Sequence, residues 1–275
     1  MKAVSKLLLA GAVFALAKGL DNRLEVTHYQ IKSKKLPKSF ENFRIVHIAD
    51  FHCDKTAGVS DAIKNEKPDI ICITGDMAHD DGSFYPFIEL LEKLIKIAPV
   101  YLVSGNHDIW RSDYKEFVDE CKKCGAVFLQ DERVLLEKDG EKISISGIED
   151  PFSVTYNEIH KNLDKSIEKL GKSDLYDILL FHRANLLDKF SNSGFDLILA
   201  GHMHGGQIRI PGVGGVVCPK TNLHDKTRIL FPKYFGGEYE IGKTKMIVTR
   251  GLGNPTIFPR LYNRPEICTV ILKNG

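Results

Sequence analysis

The chain is 275 residues long, 43% hydrophobic and 27% charged, a globular composition that excludes a wholly disordered chain and suits one domain with insertions. Lys+Arg 38 against Asp+Glu 36 leaves a net charge of +2, too balanced for a protein that grips polyanions along its surface. Six Cys do not make a disulfide scaffold at this length, and 23 Gly with 11 Pro point to tight turns rather than low complexity.

Residues 1–20 read MKAVSKLLLAGAVFALAKGL. Lys2 and Lys6 precede an apolar run from Leu7 to Ala17, and Lys18 closes it. The run has the length of a signal-peptide core and is short for a bilayer span. Ala15-Leu16-Ala17 offers a small-x-small cleavage pattern. A helix through this run is apolar on every face, so export or membrane anchoring is expected in preference to a buried amphipathic helix. Cleaved and retained forms read alike, and a cytoplasmic location stays open beside them. Residues 21–43 follow as a polar lead-in with the basic cluster Lys32, Lys34, Lys35 and Lys38. That cluster reads as a solvated loop, able to sit against anionic lipid near a membrane.

Residues 44–275 are expected to form one domain. Short β-branched runs recur there: RIVHIA, DIICIT, VYLVS, KISISGI, DILLF and LILA. Between the early ones, Phe87, Leu90, Leu91, Leu94 and Ile95 form one helical stripe, and Phe117, Val118 and Cys121 a second. Ala184 to Phe190 is predicted as a third helix. This alternation predicts an α/β core with mainly parallel strands at first. Past Gly205, the pieces QIRI, KMIVTR and ICTVILK lie between Gly and Pro, so the C-terminal third is expected to add antiparallel strands.

The chemistry stands at the strand ends. Asp50-Phe51-His52 follows the first run, Gly75-Asp76 the second, and Gly105-Asn106-His107-Asp108 the third. DILLF is followed by His182, and LILA by Gly201-His202-Met203-His204. Five strands thus end in Asp, Asn or His, at the edge where open α/β sheets gather ligands. Two carboxylates, one amide oxygen and four imidazoles suit divalent Mn, Fe, Co, Ni or Zn. Seven such groups are too many for one tetrahedral zinc and suit two ions sharing a carboxylate.

In this order along the chain, DFH, GD, GNHD, a lone His after a strand, and GHMH resemble the calcineurin-like metallophosphoesterase superfamily. The resemblance runs from about Arg44 to the C-terminus. The texts GHMHGGQIRIP, GLGNPTIFPR and RPEI are similar to its bacterial envelope branch, which includes membrane-associated phosphodiesterases and UDP-2,3-diacylglucosamine pyrophosphatases. The resemblance implies a four-layer αββα sandwich of two mixed sheets flanked by helices. It implies a first ion on Asp50, His52 and His204, a second on Asn106, His182 and His202, and Asp76 bridging them. Manganese is the foremost candidate among the divalent ions. His107 would face the substrate phosphate. One departure is Cys53, where the family commonly has Gly, Asn or another small residue; it is expected to be a small buried residue.

Four positive charges less two carboxylates and a bridging hydroxide leave about +1, which attracts a phosphodiester or diphosphate. The expected reaction is in-line attack by that hydroxide, with His107 protonating or steadying the leaving oxygen and Asp108 orienting His107. Arg250, Arg260 and Arg264 are candidates for clamping a second phosphate, and Ile257, Phe258, Leu261 and Tyr262 for flanking an acyl chain. An envelope or lipid-linked substrate is therefore expected, with a cyclic-nucleotide or nucleic-acid phosphodiesterase as the rival enzyme. Long nucleic acid is disfavoured by the near-neutral charge. A metal-binding scaffold without turnover is the rival of another class, and no protein partner is evident. Cys121-x-x-Cys124, Cys72, Cys218 and Cys268 read as packing residues. His28, His47, His79, His160 and His224 match no motif and read as core or surface residues.

Overall fold

The computed structural model describes residues 2–54, 57–153, 155–218, 230–256 and 258–275; His224 and Ile257 lie outside them. Helix α1 (Lys2–Gly19) is followed by strands β1 (Glu25–Ser33) and β2 (Arg44–Ile48), then α2 (Val59–Asn65) and β3 (Ile70–Thr74). Next come α3 (Tyr85–Ile95), β4 (Val100–Val103), α4 (Asn106–Ile109), α5 (Tyr114–Lys123), β5 (Val127–Phe128), β6 (Glu132–Lys138) and β7 (Glu141–Gly147). The second half holds α6 (Tyr156–Leu170), β8 (Asp177–Arg183), β9 (Leu197–Gly201), the short pair β10 (Arg209–Ile210) and β11 (Gly214–Gly215), β12 (Gly237–Ile241), β13 (Thr244–Val248) and β14 (Glu266–Asn274).

Two six-stranded sheets result, in the orders β1-β14-β2-β3-β4-β5 and β12-β13-β9-β8-β7-β6. Every residue of β3, β8 and β9 is buried, which is why these segments read as continuous apolar runs instead of alternating ones. Their inward side chains meet between the sheets: Ile45, Ile70, Cys72 and Val103 from the first pack with Ile145, Ile178, Leu197 and Leu199 from the second. On the outer face of the first sheet, Val46, Ile48, Ile71 and Ile73 pack on Ile63, Phe87, Leu91, Leu94 and Phe117 of α2, α3 and α5. On the outer face of the second, Leu179, Phe181 and Ile198 pack on Ile159 and Leu163 of α6 and on Leu187 and Phe190. Helices, sheet, sheet, helices is the four-layer order implied above.

Three details differ from expectation. The polar lead-in contains a strand: β1 pairs in parallel with β14 along its whole length. Residues Ala184–Phe190 form a 3-10 helix and not an α-helix. The C-terminal third adds antiparallel pairs, β12 with β13 and β14 with β2, but β13 joins β9 in parallel.

Helix α1 stays out of the core. Leu9, Val13, Phe14 and Leu16 are 66%, 60%, 70% and 56% exposed. Its last turn is moored to the body, because Tyr262 donates its hydroxyl to Ala15 O at 2.6 Å and its backbone N–H to Gly19 O at 2.6 Å. Among the described residues no helix is long and apolar enough to cross a membrane.

Candidate metal centre

The neighbouring parallel strands β2, β3 and β4 release Asp50, Asp76 and Asn106 at their C-terminal ends, and the parallel pair β8 and β9 releases His182, His202 and His204. Past the first sheet the chain keeps pairing: Asp50 N–H donates to Gly75 O at 3.0 Å, His52 N–H to Asp76 O at 3.1 Å and Cys53 N–H to Met77 O at 3.0 Å. The loops after β3 and β4 touch at their glycines, where a Cβ on Gly75 would lie 2.3 Å from Gly105 N and one on Gly105 2.2 Å from Asp76 Oδ1. Neither position has room for a side chain. Asp50, His52, Asp76, His202 and His204 all have positive φ, at 52, 50, 54, 76 and 46°. Each such residue stores roughly 1–2 kcal/mol of backbone strain, a pattern that concentrates at functional sites.

The side chains converge in two groups. Asp50, His52, Asp76 and His204 bring one ligand atom each within 4.8 Å of one another, as do Asp76, His182 and His202, and all of these residues are buried. In the first group His52 Nε2 lies 3.3 Å from His204 Nε2 and 4.0 Å from Asp76 Oδ2, while Asp50 Oδ1 lies 3.7 Å from His204 Nε2. In the second, His182 Nε2 lies 3.0 Å from Asp76 Oδ2 and 3.1 Å from His202 Nδ1. His182 Nδ1–H donates to Thr74 O at 2.7 Å, which leaves Nε2 to face the group. Asp50 is oriented by His202 N–H, which reaches its two oxygens at 3.0 and 3.1 Å.

The donor set fits a dinuclear metal centre. Asn106 Oδ1 is buried without a hydrogen-bond donor among the described residues, an arrangement that is costly unless something else fills its lone pairs. Burial pushes His52, His202 and His204 well below the usual imidazole pKa, so they are neutral, with a lone pair to give. Burial also opposes charge on His182, but the Asp76 carboxylate outweighs it and raises its pKa to about 9. Burial lifts Asp50 to about 7, with His182 opposing and Asp76 adding. The cluster thus recruits positive charge even on its own.

His107 stands at the rim. Its side chain is 26% exposed, and its ring centroid lies 5.0 Å from that of His52 and 4.9 Å from that of Trp110. Its backbone N–H donates to Asp76 Oδ1 at 2.8 Å. Asp108 does not orient it: both Asp108 oxygens accept backbone N–H groups, from Asp76, Met77, Ala78 and Gly105. The three C-terminal arginines have other partners than a substrate phosphate. Arg250 pairs with Glu25 and Glu266, Arg260 is buried and donates to Gly253 O and Arg250 O, and Arg264 donates to Arg23 O and Leu24 O. Of the apolar candidates beside them, Phe258 is exposed, and Leu261 and Tyr262 pack on Gly19 of α1. Cys53 is half-buried with its thiol pKa raised to about 11 by burial, a packing residue and not a thiolate.

Several residues near the cluster had no signal in the sequence. His79 lies beside His52, ring centroids 4.9 Å apart. Arg183, next to His182, forms a buried ion pair with Asp150 at 2.6 Å. Asn263 donates to His204 O at 2.6 Å and Gln207 O at 3.1 Å, bracing the turn that carries His204.

A family model described as calcineurin-like phosphoesterase matches residues 43–206, a span that contains every residue of the two groups. The chain is 29% identical over 280 residues to YkuE of Bacillus subtilis, named an uncharacterized metallophosphoesterase, covering 97% of this chain and 92% of the relative. It is 27% identical over 235 residues to the phosphodiesterase YaeI of Escherichia coli, covering 82% and 80%. In fold it is similar to a phosphopantetheinyl hydrolase of Mycobacterium tuberculosis, with a TM-score of 0.52 at 13% identity, over 81% of this chain and 95% of the other. The motif order, the paired His/Asp groups at the sheet ends and the family match lead to one conclusion: the chain belongs to the calcineurin-like phosphoesterase family and is a hydrolase of phosphoester bonds.

Proposed function

We propose that the protein hydrolyses a phosphodiester or diphosphate bond, with Asp50, His52 and His204 holding one divalent ion, Asn106, His182 and His202 holding another, and Asp76 shared. The observation that carries this reading is the membership of Asp76 in both buried groups. Bound there, the two ions, manganese foremost, supply Lewis acidity toward the phosphoryl oxygens and lower the pKa of water.

The remaining work falls to the chain. The His182 hydrogen bond to Thr74 O fixes its tautomer, and the Asp50 bonds to His202 N–H hold that carboxylate in place. His107, partly exposed beside His52, is positioned to give a proton to the leaving oxygen. Its backbone N–H bond to Asp76 ties the segment that carries the acid to the shared carboxylate.

An envelope or lipid-linked substrate is the finer reading, with the protein held at a membrane surface by α1. Its support is the exposed apolar side of α1 and a cavity of about 410 Å³ lined by Asn22, Arg23, Leu24, Asp54, Leu252 and Asn254. That cavity lies between the segment that follows α1 and the loop that follows His52.

The test is a panel of bis-p-nitrophenyl phosphate, a cyclic nucleotide and a nucleotide-sugar lipid, assayed with manganese and with chelator. Hydrolysis of the diester and of the lipid diphosphate, abolished by chelator, is expected. Hydrolysis of the cyclic nucleotide alone would favour the rival substrate, and no metal-dependent hydrolysis of any of the three would favour a scaffold.

A further inference from the structure

We infer that Asn263 is a positioning residue for the first metal ion, acting through His204, and that helix α1 is the abutment that keeps Asn263 in place. The inference rests on the ligand set given above, in which Asp50, His52 and His204 hold that ion.

His204 needs outside support. Thr74 O aims the His182 ring, but His204 Nδ1 is buried without a hydrogen-bond partner among the described residues. The direction of the His204 ring is therefore set by its backbone. That backbone is strained: His204, Gly205, Gly206 and Gln207 follow one another with φ of 46, 64, 72 and 40°. Two of the four carry side chains that disfavour this region, and such a turn persists only where its surroundings over-determine it.

Asn263 supplies that constraint. It is fully buried, and its Nδ2 donates to His204 O at 2.6 Å and to Gln207 O at 3.1 Å. Both partners are carbonyl oxygens, the first and last of the turn, so one amide spans it from end to end. The fit leaves no slack: a Cβ on Gly205 would overlap Asn263 Oδ1. From the same segment, Leu261 N–H donates to Gln207 O at 3.2 Å.

The residues on either side of Asn263 bind the N-terminal part of the chain. Tyr262 holds Ala15 O and Gly19 O, and its ring packs on Gly19, where a Cβ would lie 2.8 Å from Tyr262 Cε2. Arg264 Nε donates to Arg23 O at 2.7 Å and Nη2 to Leu24 O at 2.9 Å. Three consecutive residues thus join α1, and the chain that follows it, to the turn that carries His204. A shift of Tyr262 is passed through one peptide unit to Asn263 and from there to the ligand. Whatever draws α1 off the body therefore loosens the first ion. The second ion is less affected, because Asn106 follows β4 and the Thr74 bond aims His182.

Manganese titration followed by electron paramagnetic resonance tests this, since free ions, one bound ion and a coupled pair give different spectra. The variants are Asn263→Asp, which keeps the shape and removes the donor, and Tyr262→Ala, which removes the hold on α1 and keeps Asn263. The wild type should fill to a coupled pair. Asn263→Asp should hold the ion of Asn106, His182 and His202 with wild-type affinity, and form the pair only at roughly 10–100-fold more manganese. Tyr262→Ala should shift the same step by roughly two- to thirtyfold. At saturating manganese both should regain the wild-type kcat on bis-p-nitrophenyl phosphate, which separates positioning from chemistry. Thermal unfolding in chelator guards against misfolding; if Asn263→Asp is unfolded there, Tyr262→Ala decides alone. Wild-type affinities in Asn263→Asp, or equal weakening of both ions in either variant, overturn the inference. Wild-type affinities in Tyr262→Ala overturn the part given to α1. Failure of the ligand reading looks different: His204→Ala would still form the pair at wild-type manganese, and the inference would fall with it.

Discussion

The Asp108 carboxylate accepts the backbone N–H of Asp76 at 2.8 Å, and the same two oxygens take the N–H groups of Met77, Ala78 and Gly105 at 3.1, 3.0 and 2.9 Å. One buried side chain therefore ties the loop after β3 to the loop after β4. An amide in its place turns a donor toward those donors. Asp108→Asn is expected to cost about 3–5 kcal/mol of stability, the range for breaking a buried charged network. Urea unfolding checks it. A full loss of turnover with an unchanged unfolding midpoint would place Asp108 in the chemistry instead.

Asp76 is the one carboxylate common to both groups, so Asp76→Asn should disturb both ions where loss of Asn106 disturbs one. Metal analysis should show fewer than one tightly held ion per chain in Asp76→Asn and about one in Asn106→Ala. Turnover of bis-p-nitrophenyl phosphate by Asp76→Asn should fall roughly a thousandfold, the equivalent of about 4 kcal/mol of lost charge stabilisation. Equal metal content in the two variants would remove the basis for a shared ligand.

The ligand set was legible in the sequence because Asp, Asn and His are unusual directly after apolar strands, and a strand fixes where its last side chain stands. The layers were legible for a related reason: strands buried on both faces lose the polar alternation. Strand β1 was not, because in EVTHYQIKS only Ile31 is fully buried, and its pairing with β14 is decided by a segment more than two hundred residues away. His79 matched no motif because its place beside His52 depends on a loop that Arg111 holds from another segment. The arginines misled for a plainer reason. A guanidinium offers the same donors to a phosphate as to a carbonyl, and only the fold shows that Arg260 meets Gly253 O.

His107 belongs to neither group of ligands, packs its ring edge-on against His52 and keeps its side chain partly exposed. His107→Gln should leave metal content unchanged and lower kcat by about 10²–10⁴-fold, the usual contribution of a positioned acid. The deficit should shrink as the leaving group becomes more acidic, so a series of aryl phosphodiesters of graded leaving-group pKa reads it out. An equal deficit across that series would mean that His107 binds phosphate and transfers no proton.

Arg183 and Asp150 are both buried, with Nε to Oδ2 at 2.6 Å and Nη2 to Oδ1 at 3.0 Å. Removing one partner leaves a charge without its counter-charge, at about 3–5 kcal/mol, whereas replacing both can be nearly neutral. Asp150→Ala should therefore unfold at markedly lower urea, and Asp150→Ala combined with Arg183→Met should recover most of the loss. If the double variant were as unstable as the sum of the singles, the pair would not be the coupling that matters there.

His47 lies in β2 between β14 and β3, fully buried, with Nε2 2.8 Å from Thr74 Oγ1. Burial lowers its pKa from 6.5 to about 3. The unfolded chain therefore takes up this proton near pH 6.5 while the folded chain refuses it down to about pH 3. Between those values the unfolded state holds more protons, so stability rises with pH and is lost as the pH falls. Between pH 7 and pH 4 this one group should remove about 3 kcal/mol. His47→Gln keeps a polar partner for Thr74 and has no proton to gain. Unfolding free energies measured at pH 7, 5.5 and 4 should fall more steeply for the wild type than for His47→Gln, by about that amount in total. The other titrating groups are common to both proteins and cancel in the difference, so parallel curves would mean that His47 is not held neutral by the fold.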